Sequence, residues 1–256
     1  MKTELALRPY YVASVSGGKD SLYMLGLILN HLDKYPLDAV FHIELEIDYP
    51  YVSKVVARMK ELCQAANIPF YSVKPRHTYE ELYAKRGFPS RNARWCNGEY
   101  KKDGSRVFEK MLNERGKYGV LYIGFCADET KRFKYEIGKI AEGQRVVYPL
   151  AEEGIVESTI LSWAKTNPIF DDFYKVNDRQ GCMYCPMHSY KEMAYLMVKY
   201  PAESEKYWNM IFKEWRERGI NCLRGDKYTP DYIYERVKTH YVPKIIDMLK
   251  EANNEC

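Results

Sequence analysis

The sequence predicts an α/β fold: a parallel five-stranded sheet with helices on both faces, followed by a helical or irregular C-terminal region. Three observations carry this. Five short apolar runs recur through the first 150 residues, helical patterns separate most of them, and after Pro149 the alternation stops. The runs at residues 11–15, 39–43, 70–73, 120–123 and 146–148 read as strands buried on both faces. After the first run, Leu22, Leu25, Leu29 and Leu32 recur at helical spacing, with Ser21 at the helix start. After the second, Val52, Val55, Val56, Met59, Leu62, Cys63 and Ala66 form one stripe; before the fourth, Val107, Phe108, Met111 and Leu112 form another. Beyond Pro149, residues 158–165 read as a short helix and 166–186 as irregular. From Ser189 onward the pattern is helical, with breaks near Pro201, Gly219 and Pro243.

Composition narrows the classes. An apolar fraction of 46% with 29% charged residues is that of a soluble globular chain of 256 residues, and no apolar stretch approaches the length that crosses a bilayer. Residues 1–8, with Glu4 and Arg8, do not read as a signal peptide, so no membrane association and a cytoplasmic location are expected. Seven cysteines in that compartment point to metal binding or catalysis more than to disulfides. Net charge is only +4, yet residues 74–145 hold 17 Lys and Arg against 10 Asp and Glu. That local excess of seven suits a solvated basic face, a polyanion such as ATP, or a nucleic acid. The 24 tyrosines are scattered, as packing residues are.

The most informative segment is Ser16-Gly17-Gly18-Lys19-Asp20-Ser21, directly after the first strand. Two glycines let the backbone approach an anion so that successive N–H groups converge on phosphate oxygens, and the following helix turns its positive end to the same anion. Ser16 and Ser21 can donate hydroxyl hydrogen bonds, Lys19 supplies a point charge, and Asp20 is suited to Mg²⁺ or to orienting the loop. A plain strand-to-helix turn is the simpler alternative, but it has no use for two hydroxyls, a lysine and an aspartate in one place. The spacing is neither that of a Walker A loop nor that of a dinucleotide fingerprint. Residues 1–150 are therefore read as a nucleotide-binding domain and residues 151–256 as a C-terminal helical region. Parallel sheets take ligands beyond the carboxyl ends of their strands. Glu46 and Asp48, past the second strand, are on that side for ribose or metal, although Asp48 suits a helix cap equally well.

Gly181-Cys182-Met183-Tyr184-Cys185-Pro186 comes next. Two thiolates two residues apart can share a metal, and Cys96 and Cys222 would bring the set to four. A [4Fe–4S] cluster, with Zn²⁺ as the alternative, would then staple the C-terminal region to the nucleotide domain. A redox dithiol is the competing reading, although Cys182 follows the polar loop Asn177-Asp178-Arg179-Gln180 and Cys185 precedes Pro186, unlike a dithiol that opens a helix. Cys63 lies on the apolar stripe of a helix and reads as core. Cys126, just past the fourth strand, suits packing or sulfur handling equally.

The phosphate loop resembles the PP-loop of the ATP pyrophosphatase superfamily, and a wider stretch, residues 11 to about 190, resembles the phosphoadenosine phosphosulfate reductase family within it. Gly87-Phe88-Pro89, Arg94-Trp95-Cys96 and Lys101 are similar to that family's Gly-x-Pro, Arg-Trp-Cys-Thr and Lys segment. The stretch from Gly124 to Arg132 resembles its Gly-Ile-Arg-x-x-Glu-Ser-x-x-Arg element, and Gly181 to Pro186 its Gly-Cys-x-x-Cys segment. Cys126 stands where the family usually has arginine, and Asn97 replaces threonine. The intact Ser-Gly-Gly-x-Asp-Ser loop together with the cysteines is closest to the family's iron–sulfur, ATP-using members, those of DNA phosphorothioation and tRNA thiolation.

The resemblance implies an adenine nucleotide alpha hydrolase-like, Rossmann-like fold and an enzyme that uses ATP and Mg²⁺ to adenylate a substrate with release of pyrophosphate, in the service of sulfur transfer. The acceptor would be a nucleic acid, tRNA or DNA, or a small molecule, a separate sulfur donor would be required, and a homodimer is the assembly considered. Lys19, Asp20, Arg94 and Cys126 are the expected catalytic residues, with Lys101 as further positive charge; Ser16, Gly17, Gly18, Ser21, Gly124 and Arg132 join Lys19 and Asp20 at the nucleotide. The alternatives are a thiol-dependent reductase of adenylyl sulfate compounds acting through Cys256, and a non-catalytic nucleic-acid-binding module using the basic middle segment.

Overall fold

A computed structural model describes residues 8–137, 145–223 and 227–254. Cys256 lies outside the described residues. The chain divides into two compact units that interleave in sequence: one holds the chain up to Leu45, Pro50–Arg76 and Lys102–Ile169, the other Glu46–Tyr49, His77–Lys101 and the chain from Phe170 onward. A single boundary near residue 150 therefore does not describe the division, because the segment carrying Cys96 groups with the C-terminal helices.

The first unit is the α/β part. Strands β1 (Arg8–Val15), β2 (Ala39–Ile43), β3 (Phe70–Val73), β4 (Lys117–Tyr122) and β5 (Arg145–Val147) form one sheet in the order β3-β2-β1-β4-β5, and every pair is parallel. Val12, Ala13 and Val15 are buried, as are Ala39, Val40 and Phe41, as expected of strands covered on both faces. On one face Val12 and Phe41 pack with Phe108 and Leu112 of the helix Lys102–Glu114, and the rings of Phe41 and Phe108 stack at 4.3 Å.

In chain order the helices are α1 (Lys19–Asn30), α2 (Pro50–Ala65), α3 (Tyr79–Arg86), α4 (Lys102–Glu114), α5 (Thr130–Ile137), α6 (Pro149–Glu152) and α7 (Glu157–Thr166), then α8 (Phe173–Val176), α9 (Tyr190–Lys199), α10 (Pro201–Arg218), α11 (Pro230–Arg236) and α12 (Val242–Asn254). Helix α2 buries Val52, Val55, Val56, Met59 and Cys63, which makes Cys63 a core residue. Helix α1 begins at Lys19, two residues before the expected Ser21, because Gly18 takes the extended N-cap conformation. It ends at Asn30, so Leu32 lies past it and is exposed.

The second unit is mostly helical. Ser189 and Glu192 form a capping box at the start of α9, and Gly219 ends α10 in the left-handed conformation. The break expected at Pro243 is absent. The chain instead widens into a π-helical turn, Val237–Tyr241, and continues as α12, with the Val242 N–H donating to the Val237 carbonyl. A proline has no N–H to give to the preceding turn, and a π-turn just ahead of it absorbs the misfit. No described helix is long and apolar enough to cross a membrane.

Candidate functional site

In the first unit the chain leaves β1 for β2 on one side, while β4 lies on the other side of β1, so the topology reverses between β1 and β4. The crevice beyond those two strand ends is where parallel α/β sheets bind ligands. Ser16, Gly17 and Gly18 follow β1 there, and Gly124 to Glu129 follow β4. Gly17 has φ +76°, and a Cβ on it would meet Val52 Cγ1 at 2.6 Å, so glycine is required for both conformation and space. Gly124 is equally close to the loop, since a Cβ there would meet the Asp20 carbonyl oxygen at 3.1 Å.

The loop's hydroxyls are tied to its own backbone. Ser21 Oγ donates to the Gly18 carbonyl at 3.0 Å and accepts from the Ser16 N–H at 3.3 Å, while the Ser16 hydroxyl, on an exposed residue, accepts from the Gly18 N–H at 3.4 Å. This cross-bracing turns the segment into a compact cradle at the positive end of α1.

Lys19 was expected to reach toward phosphate. It is 1% exposed, and its ammonium lies 2.8 Å from Asp20 Oδ1 and 2.7 Å from Glu157 Oε1. Burial pulls its pKa down, but the two carboxylates outweigh burial and hold it above the usual lysine value. Asp20 is pushed up, first by burial and then by Glu157 and Glu129, against the opposing pull of Lys19. Ligand atoms of Asp20, Cys126 and Glu157 lie within 4.8 Å of one another. Oxygen donors of this kind suit magnesium. The Lys19 ammonium sits on the same two carboxylates, so cation and ammonium compete for them.

Cys126 is fully buried, its N–H donates to Glu129 Oε2 at 3.1 Å, and burial with Asp20 and Glu157 raises its thiol pKa. Carboxylates around a buried thiol disfavour its thiolate, the form in which a cysteine acts as a nucleophile. Arg132 is exposed, paired to Glu129 at 2.7 Å and laid over the Phe125 ring. Much of the expected basic face is likewise paired, as with Arg76 to Asp103 and Arg86 to Glu99. A cavity of about 470 Å³ lined by Leu22, Leu27, Arg58, Leu62, Ile155 and Trp163 includes none of the loop residues.

In the second unit Cys96 opens a π-helical turn, Cys96–Lys101, a local widening frequent at functional sites. Arg94 just before it is exposed. Cys182 is driven down to about 5 by a hydrogen bond with Cys185, against burial, with Lys101 and His188 assisting. Cys185 moves up in turn, so the pair shares one thiolate. Lys101 is held above its usual value by Cys182 and then Asp48. Asp48 itself is pushed up to about 7 by burial and by Cys182. Glu46 is exposed, and its carboxylate accepts from the Tyr79 N–H at 3.3 Å. Glu46, Asp48 and Lys101, expected at the nucleotide, thus belong to the unit of the cysteines. Cys96, Cys182 and Cys185 are in that one unit as well, so a metal on them would tie together segments of a single unit.

Cys222 was expected as the fourth ligand. Its sulfur instead rests against the carbonyls of Phe88 and Ile220, both at 3.8 Å, and burial followed by Glu214 raises its pKa to about 12. In this arrangement the Cys222 sulfur makes its polar contacts with backbone carbonyls.

Comparison with known proteins adds little to this geometry. No family model matches the chain. It is 24% identical over 233 residues to the uncharacterized protein MJ0973 of Methanocaldococcus jannaschii, a match covering 83% of this chain and 50% of that protein. The chain therefore spans about half the length of the curated relative it matches. Among solved structures, the U34-tRNA thiolase NcsA from Methanococcus maripaludis with its [4Fe-4S] cluster is 17% identical, with a TM-score of 0.44, covering 90% of this chain and 81% of that one. A likeness that loose bears no weight for the site.

Sequence reasoning missed Glu157 and Glu129, which are remote in sequence from the loop they surround. It also missed Tyr79 and His188 beside the cysteines. His188 had a signal, standing three residues after Cys185 as Cys185 stands three after Cys182.

Proposed function

We propose that the chain is an ATP-dependent adenylating enzyme that releases pyrophosphate and serves sulfur transfer to a nucleic acid or a small molecule. The observation that carries this is the cross-braced Ser16-to-Ser21 loop at the carboxyl end of β1, beside the exit of β4 where the sheet order reverses. The N–H groups of Gly17 and Gly18, the latter giving up its long 3.4 Å bond to the Ser16 hydroxyl, and the N-terminal end of α1 hold the β- and γ-phosphates, and the Ser16 hydroxyl donates to them. An acceptor oxygen attacks the α-phosphorus in line; the bond to the bridging oxygen breaks, pyrophosphate leaves with that electron pair, and the acceptor carries AMP. Sulfur then displaces AMP, which departs with the acceptor's oxygen. Magnesium, held by Asp20 and Glu157, would neutralise charge on the departing pyrophosphate.

Cys96, Cys182 and Cys185 have the donor chemistry of a soft metal centre, with the Cys182 thiol drawn toward its thiolate and the Lys101 cation beside it. Two zinc–sulfur bonds span at most about 4.6 Å, so ligand atoms on one zinc ion lie within that distance of one another. Among the described residues, no three of these donors lie within 4.8 Å of one another. Such a cluster, when bound, would supply or activate sulfide. The lowered Cys182 pKa also fits a redox dithiol, but that residue is only 5% exposed and exchange needs access.

The test is incubation with ATP labelled at the α-phosphate, Mg²⁺, sulfide and bulk tRNA, DNA or small-molecule acceptors, followed by separation of products. AMP with pyrophosphate supports the reading; ADP with orthophosphate, or unchanged ATP with every acceptor, overturns it.

A further inference from the structure

His188 has no assigned role, yet it is the most conspicuous unsatisfied group beside the cysteines. It is 1% exposed, and beyond a weak contact with the Cys182 backbone its ring nitrogens have no hydrogen-bond partner. A buried imidazole left so is costly unless something takes its lone pair. The chain delivers it by two successive tight turns: the Cys185 N–H donates to the Cys182 carbonyl at 3.1 Å, and the His188 N–H to the Cys185 carbonyl at 3.3 Å. A Cβ on Gly181 would lie 3.5 Å from both Cys185 Cβ and His188 Nε2, so those two atoms border the same point. The Tyr207 ring lies 5.5 Å from the imidazole, and the Tyr207 hydroxyl donates to the Cys185 carbonyl. Tyr79 offers a parallel case. Its ring is buried, its hydroxyl is unpartnered, and the charges bearing on it after burial are those of Cys182 and Cys96.

We propose that His188, and not Cys222, completes the metal centre with Cys96, Cys182 and Cys185, giving a three-thiolate, one-imidazole ligand set. This rests on the reading that those cysteines hold a metal. Imidazole and thiolates together serve both zinc and iron–sulfur centres, and histidine in place of cysteine on a cluster raises its reduction potential.

The experiment compares wild type, H188A, H188C, C222A and C182A, purified without oxygen and reconstituted with iron and sulfide. It reads iron, zinc and sulfide per chain, electron paramagnetic resonance of the reduced and mildly oxidised protein, and ATP binding by calorimetry. Wild type and C222A should hold the same cluster, and C182A should lose it. H188A should lose metal affinity by about tenfold or more, since changing even the partners of ligands costs that much, or else release one iron on mild oxidation. H188C should restore the iron at a lower potential. H188A with wild-type metal, sulfide and resonance spectrum overturns the proposal, as does loss of the cluster in C222A. If H188A fails to fold, H188C decides alone, because an unchanged potential and spectrum overturn it. Zinc in the wild type that is lost in H188A upholds the ligand set and removes iron. A metal-free wild type that still binds ATP overturns both this proposal and the metal reading while sparing the nucleotide site.

Discussion

Replacing Lys19 by methionine keeps the length of the side chain and removes the ammonium between Asp20 and Glu157, at 2.8 and 2.7 Å. The two carboxylates, with oxygens no more than 4.8 Å apart, are left facing each other. At an effective dielectric constant of about 20, two unit charges at that distance repel by about 3.5 kcal/mol. Partial exposure of both side chains, 34% for Asp20 and 24% for Glu157, screens this to roughly 2.5 kcal/mol. At about 2–4 °C per kcal/mol for a chain of this size, the melting temperature at pH 8 should fall by roughly 5–10 °C. The sign with pH follows from Asp20, whose folded-state pKa is already raised. A carboxylate with a raised folded-state pKa is destabilising above that pKa, and the penalty fades as pH falls through it. The deficit of K19M should therefore shrink on going from pH 8 to pH 5, and millimolar Mg²⁺ should stabilise K19M more than wild type. Adding Glu157→Gln removes one of the repelling charges and should recover most of the loss. Thermal melts at the two pH values decide. An equal deficit at both, with no recovery in the double variant, would refute the view that Lys19 is a structural counter-charge.

Gly17→Ala should abolish detectable ATP binding in calorimetry and cost about 2–4 kcal/mol of stability, from a left-handed φ and from overlap with Val52. Gly104→Ala, whose Cβ would meet Ile43 Cγ2 at 2.8 Å, should cost about 1–3 kcal/mol by denaturant melts and leave ATP affinity unchanged, being a packing change away from the loop. Cys126 should resist alkylation by iodoacetamide in the native protein at pH 8 and react after unfolding, as mass spectrometry of the labelled peptide will show. Ser189→Ala breaks the capping box of α9 and should cost about 1 kcal/mol in thermal melts without changing metal content.

The strands were legible because a parallel sheet buried on both faces writes itself as short apolar runs; 39–43 and 70–73 match to the residue. Strand β4 begins three residues before its apolar run, at Lys117, where the polar chain already pairs with Arg8. The phosphate loop could be read because its requirement is local: a glycine at φ +76° with no room for a side chain. What surrounds it could not. Glu157 joins Lys19 across 138 residues, and no spacing rule carries that far. The same distance effect hides from the sequence that Glu46 and Asp48, which follow a strand of the sheet, group with the cysteines. Cys222 was considered on residue type alone, and the three-residue interval that links His188 to the Cys-x-x-Cys motif was legible but not used.

The central claim is that the backbone at Gly17 and Gly18 grips the β- and γ-phosphates of ATP. Calorimetric titration of wild type with ATP and with AMP, in Mg²⁺, tests it most directly. The account predicts saturable binding of ATP, with AMP weaker by about tenfold or more, since each 1.4 kcal/mol of lost phosphate contact is tenfold. Equal affinity for the two nucleotides, or no heat from ATP, would contradict it.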